Sequence, residues 1–370
     1  MNKASLPERI TAERRKTRKV YYGNIPVGGD APISIQSMST RAAKEKDAVL
    51  KEFNELASAG CEIARVSVKD QDDIEVIGDI CKQSPIPVIA DIHFDFKLAV
   101  RSAGKGVAGL RINPGNIGGR EKVREVARAA EDSGIPIRVG VNSGSLQKNL
   151  LSLYRTDPAR ALFESAAGSL EMMESIGFEN LLFSIKSSDP AINVDANRLF
   201  ASACDYPIHI GVTEAGPVLS GATRSTVSLT LLLSEGIGDT LRVSLSGDPV
   251  NEVIVASALL SSLRLREDAS EVISCPTCGR AHLDVLKIAN LLEREMLSRR
   301  GPITVAVMGC EVNGPGEAKE ADVGIAGTAG GAVLFAKGKK QKVLRGNYLD
   351  ALLREIDKVI SDRDKGKRQE

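Results

Sequence analysis

The chain has 370 residues, 42% hydrophobic and 26% charged, enough for one large domain and a smaller one. Lys and Arg number 49 against 48 Asp and Glu, so no global field marks a nucleic-acid or membrane partner, and any anionic ligand must be met locally. A polar N-terminus (Met1 to Lys19) and the lack of any apolar run of about 18 residues argue against a signal peptide or membrane span, and the chain is expected to be cytoplasmic. Six cysteines do not make a disulfide scaffold at this length. Cys61, Cys81 and Cys204 stand apart from one another and are read as small buried hydrophobes.

From Ile33 to Leu263, eight short β-branched runs are each followed by a segment of helical period. They are Ile33 to Ser37, Ile63 to Ser67, Pro87 to His93, Gly109 to Asn113, Ile137 to Asn142, Leu181 to Lys186, His209 to Glu214 and Leu241 to Ser246. Lys44 to Ser58 carries apolar residues at helical spacing and stops before Gly60, and Asp248-Pro249 reads as a cap and first-turn pair. Eight such units predict an α/β fold, a closed (β/α)8 TIM barrel. The alternative, an open doubly wound sheet, lacks its glycine-rich fingerprint after the first strand.

After Leu263 the texture changes. A polar stretch, Arg264 to Ser270, leads to Ser274-Cys275-Pro276-Thr277-Cys278. A helix over Asp284 to Arg299, strands over Ile303 to Val307, Asp322 to Ile325 and Ala332 to Phe335, and a helix over Tyr348 to Ile360 make a small α/β domain. Lys337 to Lys342 is read as a solvated turn and the tail from Asp362 as a frayed end. The expected boundaries are 1–265 for a substrate-binding barrel and 266–370 for a cysteine-bearing domain.

A barrel of this kind builds its site where the strands end. Here the ends supply Arg65, Asp91 with His93, Arg111 with Asn113, Arg138 with Asn142, Lys186, Thr213 with Glu214, and Arg242 with Ser244. Four arginines and a lysine at one mouth point to a phosphate or diphosphate, since guanidinium forks match phosphate oxygens in two-point contacts. Asp91 or Glu214 is expected to neutralise part of this charge, and Glu214, Asp91 and His93 are candidates for proton transfer. His209, at the start of its strand, and His282 are read as structural.

Cys275-x-x-Cys278 and Cys310 remain, with Gly-Cys-Glu-Val-Asn-Gly-Pro-Gly-Glu running from Gly309 to Glu317. Three thiolates with His282 would suit a closed structural zinc site. Three thiolates on an iron-sulfur cluster would leave one iron for a weaker ligand or the substrate. The residues leave both readings open, and a Gly-Pro-Gly turn would bring Glu317 towards the sulfurs.

With these residues assembled, the sequence resembles the 4-hydroxy-3-methylbut-2-enyl diphosphate synthase family almost end to end. The likeness rests on Gln36-Ser37-Met38, Asp91 to Phe94, Gly109 to Asn116, Arg138 to Leu146, Gly211 to Gly216, Cys275 to Cys278 and Asn313 to Ala318. The length fits the bacterial two-domain form, without the domain that plant-type members insert. The resemblance implies an enzyme that opens 2-C-methyl-D-erythritol 2,4-cyclodiphosphate and reductively dehydroxylates it with two electrons. It implies a 4Fe-4S cluster held by Cys275, Cys278, Cys310 and Glu317. It also implies a flavodoxin or ferredoxin donor and a head-to-tail homodimer. The cationic set with Asn113, Asn142, Thr213 and Ser244 would hold the diphosphate, and Glu214 leads as the acid-base group. Glu311 stands where the pattern calls for an apolar residue and is read as facing solvent. The competing readings are a phosphate-binding barrel carrying a structural zinc module, and a non-catalytic zinc-stabilised binding protein.

Overall fold

A computed structural model describes residues 12–266, 270–297, 299 and 301–367. The first part of the polar N-terminus, residues 267–269 of the polar stretch, residue 298 of the expected helix and the last residues of the charged tail lie outside the described residues. The chain divides into two compact units after Leu265.

The first unit opens with a hairpin, β1 (Val20–Tyr22) and β2 (Ile25–Val27), too short for periodicity to reveal. Gly23 opens its two-residue turn at a φ of 58°, a conformation that costs glycine nothing. Eight parallel strands follow: β3 (Ser34–Met38), β4 (Ile63–Ser67), β5 (Val88–Asp91), β6 (Gly109–Ile112), β7 (Ile137–Asn142), β8 (Leu181–Lys186), β9 (His209–Ile210) and β10 (Thr240–Leu241). They pair in the order β8-β7-β6-β5-β4-β3-β10-β9. A bridge from Phe183 to Ile208 joins the two ends of that order and closes the ring. The barrel replaces the open-sheet alternative, and β5, β6 and β8 are buried at every residue, as strands covered on both faces are.

The hairpin packs against the strand beginnings, where Val20, Tyr22 and Val27 meet Ile63, Ile89 and Leu182. A Cβ at Gly109 would stand 2.3 Å from the Tyr22 ring, so a glycine makes room for this floor. The opposite end, where the strands finish, carries the polar residues. Two expected strands prove short: β9 and β10 leave the ladder after two residues each, and residues 211–214 and 242–246 become mouth loops. Asp248 does accept a bond from the Val250 N–H at 2.9 Å, at the start of the helix Val250–Ser262.

The second unit is a five-stranded sheet: β11 (Glu271–Ser274), β12 (Thr304–Met308), β13 (Val323–Thr328), β14 (Gly331–Ala336) and β15 (Lys339–Leu344), in that order. The first three are parallel and the last two antiparallel. Alternation along β12 splits its residues between two cores. Val305 and Val307 pack with the helices Val285–Leu297 and Tyr348–Lys367, and Ala306 and Met308 pack with Ala318 of the helix Gly314–Glu320.

Three expectations for this unit are corrected. Lys337 to Lys342 is mostly edge strand, because lysines on an edge face water and discourage further pairing. Gly-Pro-Gly is the first turn of a helix rather than a chain reversal, with proline where its missing N–H costs nothing. The helix from Tyr348 runs on to Lys367 through the supposed frayed end, and Asp362 within it pairs with Lys337 at 2.9 Å.

Candidate active site

The barrel brings its five expected cations into one electrostatic cluster. Lys186 lies in the field of Arg65, Arg138, Arg242 and Arg111 together. Register explains part of this: Arg111 pairs across the sheet with Asp91 on one side and Arg138 on the other, and Asn142 pairs with Lys186. Asp91, buried, sits 3.1 Å from Arg111 Nη1, 3.4 Å from Arg65 Nε and 3.6 Å from His93 Nε2. Burial alone would raise its carboxyl, but Arg65, the His93 hydrogen bond and Arg111 outweigh it and hold the group far below the usual carboxylate range. Asp91 is therefore ionised and committed to its partners, and a carboxylate so held has no proton to give near neutral pH.

Arg242 is neutralised by Glu252, not by Glu214. Glu252, on the helix Val250–Ser262, meets Arg242 Nη2 at 2.7 Å and Nε at 2.8 Å, the two-point geometry that suits a carboxylate. The same carboxylate accepts from Ser37 Oγ at 2.7 Å and from the Leu245 N–H at 3.1 Å. Arg65 also rests on Met38, with Sδ 3.0 Å from Nη2. Arg138 is wholly buried inside the barrel; its Nη1 donates to Gln36 Oε1 at 2.9 Å, while Nε and Nη2 have no partner among the described residues. Burial lowers the Arg138 pKa to about 10. Lys186 Nζ lies 3.2 Å from His209 Nε2, both buried.

The amides stand beside the cations. Asn142, oriented so that its oxygen faces Arg111 Nη2 at 3.3 Å, donates to the Val141 carbonyl. Asn113 caps a short helix through the Gly115 N–H at 3.0 Å and donates to Ser145 Oγ at 3.1 Å. Gly140 leaves room for Arg111, since a Cβ would stand 2.5 Å from Arg111 Nε. Thr213 and Ser244 are half-buried in the loops after β9 and β10. Glu214 is exposed, with a φ of 52°, a left-handed backbone that non-glycine residues adopt at a cost and that recurs at functional sites. His93 is exposed at the rim beside Phe94, itself 73% exposed.

Reading only strand ends missed Glu252 and Gln36, and set His209 aside. Glu252 comes from a helix, so no strand pattern signals it; Gln36 lies within β3 and was visible only as part of a motif.

In the second unit, Cys275 follows β11 and Cys310 closely follows β12, two adjacent parallel strands, so both sit at one end of the sheet. Cys278 lies in the loop after β11, and Glu317 is in the first turn of the helix Gly314–Glu320. Cys275 Sγ accepts from the Gly309 N–H at 3.1 Å. These loops are pressed together: a Cβ at Gly314 would stand 2.9 Å from Ala326 Cβ, and one at Gly327 would stand 2.3 Å from the Gly309 carbonyl oxygen. Cys278, Glu317, His282 and Glu311 are exposed, while Cys275 and Cys310 are half-buried. Among the described residues, no three His, Cys, Asp or Glu side chains are drawn into a metal-holding group. Cys61 is buried, and burial pushes its thiol up to about 12, which leaves it unreactive. No helix among the described residues is long and apolar enough to cross a membrane.

The family model described as the GcpE TIM-barrel domain matches residues 17–257, and that described as the GcpE protein C-terminal domain matches residues 271–358. A relative from Geobacter sulfurreducens, named 4-hydroxy-3-methylbut-2-en-1-yl diphosphate synthase (flavodoxin), is 50% identical over 351 residues, covering 95% of this chain and 99% of its own. Relatives of the same name from Parafrankia sp. and Lawsonia intracellularis are 49% and 47% identical, covering 92% and 94% of this chain and 89% and 98% of theirs. Both family domains match in order, the first over the barrel with its cationic cluster and the second over the sheet that carries the cysteines, and the chain belongs to the GcpE family.

Proposed function

We infer that the chain catalyses the reaction its relatives are named for. It converts 2-C-methyl-D-erythritol 2,4-cyclodiphosphate into 4-hydroxy-3-methylbut-2-enyl diphosphate by ring opening and two-electron reductive dehydroxylation. The observation that carries this reading is the barrel's cationic cluster: four arginines and Lys186 face two paired carboxylates, Asp91 and Glu252, and the excess positive charge calls for a polyanion.

Arg65, Arg111, Arg138, Lys186 and Arg242 bind the two phosphoryl groups, with Asn113, Asn142, Thr213 and Ser244 supplying directional contacts. The open nitrogens of Arg138 suit this role, since a buried donor without a partner awaits an acceptor. Asp91 and Glu252 hold the guanidinium groups in place. One oxygen leaves as water, which consumes protons as well as electrons. Glu214 is the proposed acid-base group at that oxygen and His93 the second candidate, because both are exposed while Asp91 is locked in ion pairs.

Three soft thiolates and one harder carboxylate at one end of a sheet fit a 4Fe-4S cluster better than a hard cation. Cys275, Cys278, Cys310 and Glu317 would hold it. When bound, it would supply the two electrons singly, drawn from a flavodoxin or ferredoxin. A head-to-tail homodimer, joining one chain's barrel to its partner's cysteine unit, is the assembly that the family resemblance implies. The enzyme would work in the cytoplasm, where thiolates stay reduced.

Iron, sulfide and zinc are measured in anaerobically purified protein, which is then reduced with the cyclic diphosphate present. The expected result is four irons and four sulfides per chain, as a 4Fe-4S cluster requires, and substrate-dependent reoxidation. One zinc, no sulfide and no colour after reconstitution would overturn the reading.

A further inference from the structure

Lys186 ends β8 and His209 begins β9. Their side chains meet inside the barrel at 3.2 Å. The lysine head has space there only because residue 211 is glycine: a Cβ at Gly211 would stand 2.7 Å from Lys186 Nζ and 2.5 Å from the Arg242 carbonyl oxygen. His209 and Gly211, two residues apart, thus form a seat for one ammonium group.

The charges around that seat are Arg65 from β4, Arg111 from β6, Arg138 from β7 and Arg242 after β10. The carboxylates within the cluster, Asp91 at the end of β5 and Glu252 from its helix, are already paired, and Glu214 lies on the exposed rim. Arginine keeps its proton at any working pH, so Lys186 is the cation of the five able to release one. Burial and the four arginines favour its neutral form. Burial, Lys186 whenever it is charged, and three of those arginines likewise keep His209 neutral. A neutral imidazole nitrogen can accept one N–H from the lysine. With Nε2 accepting, the ring proton sits on Nδ1, a buried atom with no partner among the described residues. Packing alone does not explain that cost.

We propose that His209 is a positioning residue for Lys186: it fixes the lysine head, accepts its hydrogen bond and so couples diphosphate binding to proton uptake at Lys186. This rests on the reading of Lys186 as part of the anion site. Phosphoryl oxygens placed among the arginines reverse the field at Nζ and make the ammonium the favoured form. The proton comes from bulk solvent, and the charged head then donates to His209 and to a substrate oxygen.

The test is calorimetric titration of the iron-loaded protein with the cyclic diphosphate, without reductant, in two buffers of different ionisation enthalpy. The wild type should show net proton uptake on binding between about pH 7 and 9. His209→Leu should weaken binding about tenfold and move the uptake to lower pH, and His209→Gln, which keeps an acceptor, should restore both in part. No proton uptake by the wild type between about pH 7 and 9 overturns the proposal. So does equal affinity and an equal pH profile for the wild type, His209→Leu and His209→Gln. Lys186→Met separates the two levels: wild-type affinity would overturn the anion-site reading and the proposal with it. Weakened binding beside unaltered His209 variants would overturn the role of His209 alone.

Discussion

Inside the barrel, Arg65, Arg111 and Arg242 are each tied to a carboxylate by the protein itself. At the strand ends of the smaller unit, Cys278 is exposed, Cys275 and Cys310 are half-buried, and Cys275 takes a backbone N–H bond. The difference follows from the cost of burying charge. Like charges crowded into a low-dielectric interior must be pinned by countercharges that the fold provides, or the site would push itself apart. Cysteines near a surface meet no such penalty, and on the proposed reading a metal centre would order them as it binds. One cluster is prearranged by ion pairs, and the other set of side chains stands on tightly packed loops.

That contrast can be broken or sharpened by substitution. Cys310→Ser is expected to remove iron and turnover altogether, while calorimetry shows the affinity for the cyclic diphosphate within about twofold of the wild type. A parallel loss of affinity would mean that the two sites are not independent. Glu317→Ala should lower turnover while the three thiolates retain part of the iron; unchanged iron and turnover in an anaerobic assay would remove Glu317 from the ligand set.

In the barrel, Glu252→Gln strands the Arg242 guanidinium and should cost about 3 kcal/mol in denaturant unfolding. An unaltered midpoint would show that the pair does not hold the site. Arg111→Ala should weaken binding of the cyclic diphosphate by about 2 kcal/mol, roughly thirtyfold in Kd, with iron content unchanged. The smallest effect is on acid stability. The Asp91 pKa is lower in the fold than its ordinary value of 3.8, so its contribution is complete above about pH 5 and is lost as pH falls towards the folded value. Asp91→Asn should therefore flatten the acid limb of the unfolding profile, and an unchanged acid limb would count against that pairing.

The sequence by itself determined the eight βα units and the residue types at the strand ends, because β-branched runs and helical spacing are local properties of the chain. β4, β7 and β8 begin and end where the pattern placed them. What lay beyond it were features set by neighbours distant in sequence. β9 and β10 lose their ladders early to form mouth loops. Lys339–Leu344 is a strand because β14 offers it an edge, not because its lysines favour one. The floor hairpin depends on Gly109 leaving room for Tyr22. Among site residues, the cations were legible as a list, but which carboxylate answers which was not. Glu252 reaches Arg242 from a helix, Asp91 serves two arginines at once, and His209 meets Lys186 across adjoining strands. Pairing of this kind is decided by where the barrel brings side chains together, and spacing along the chain holds no record of it.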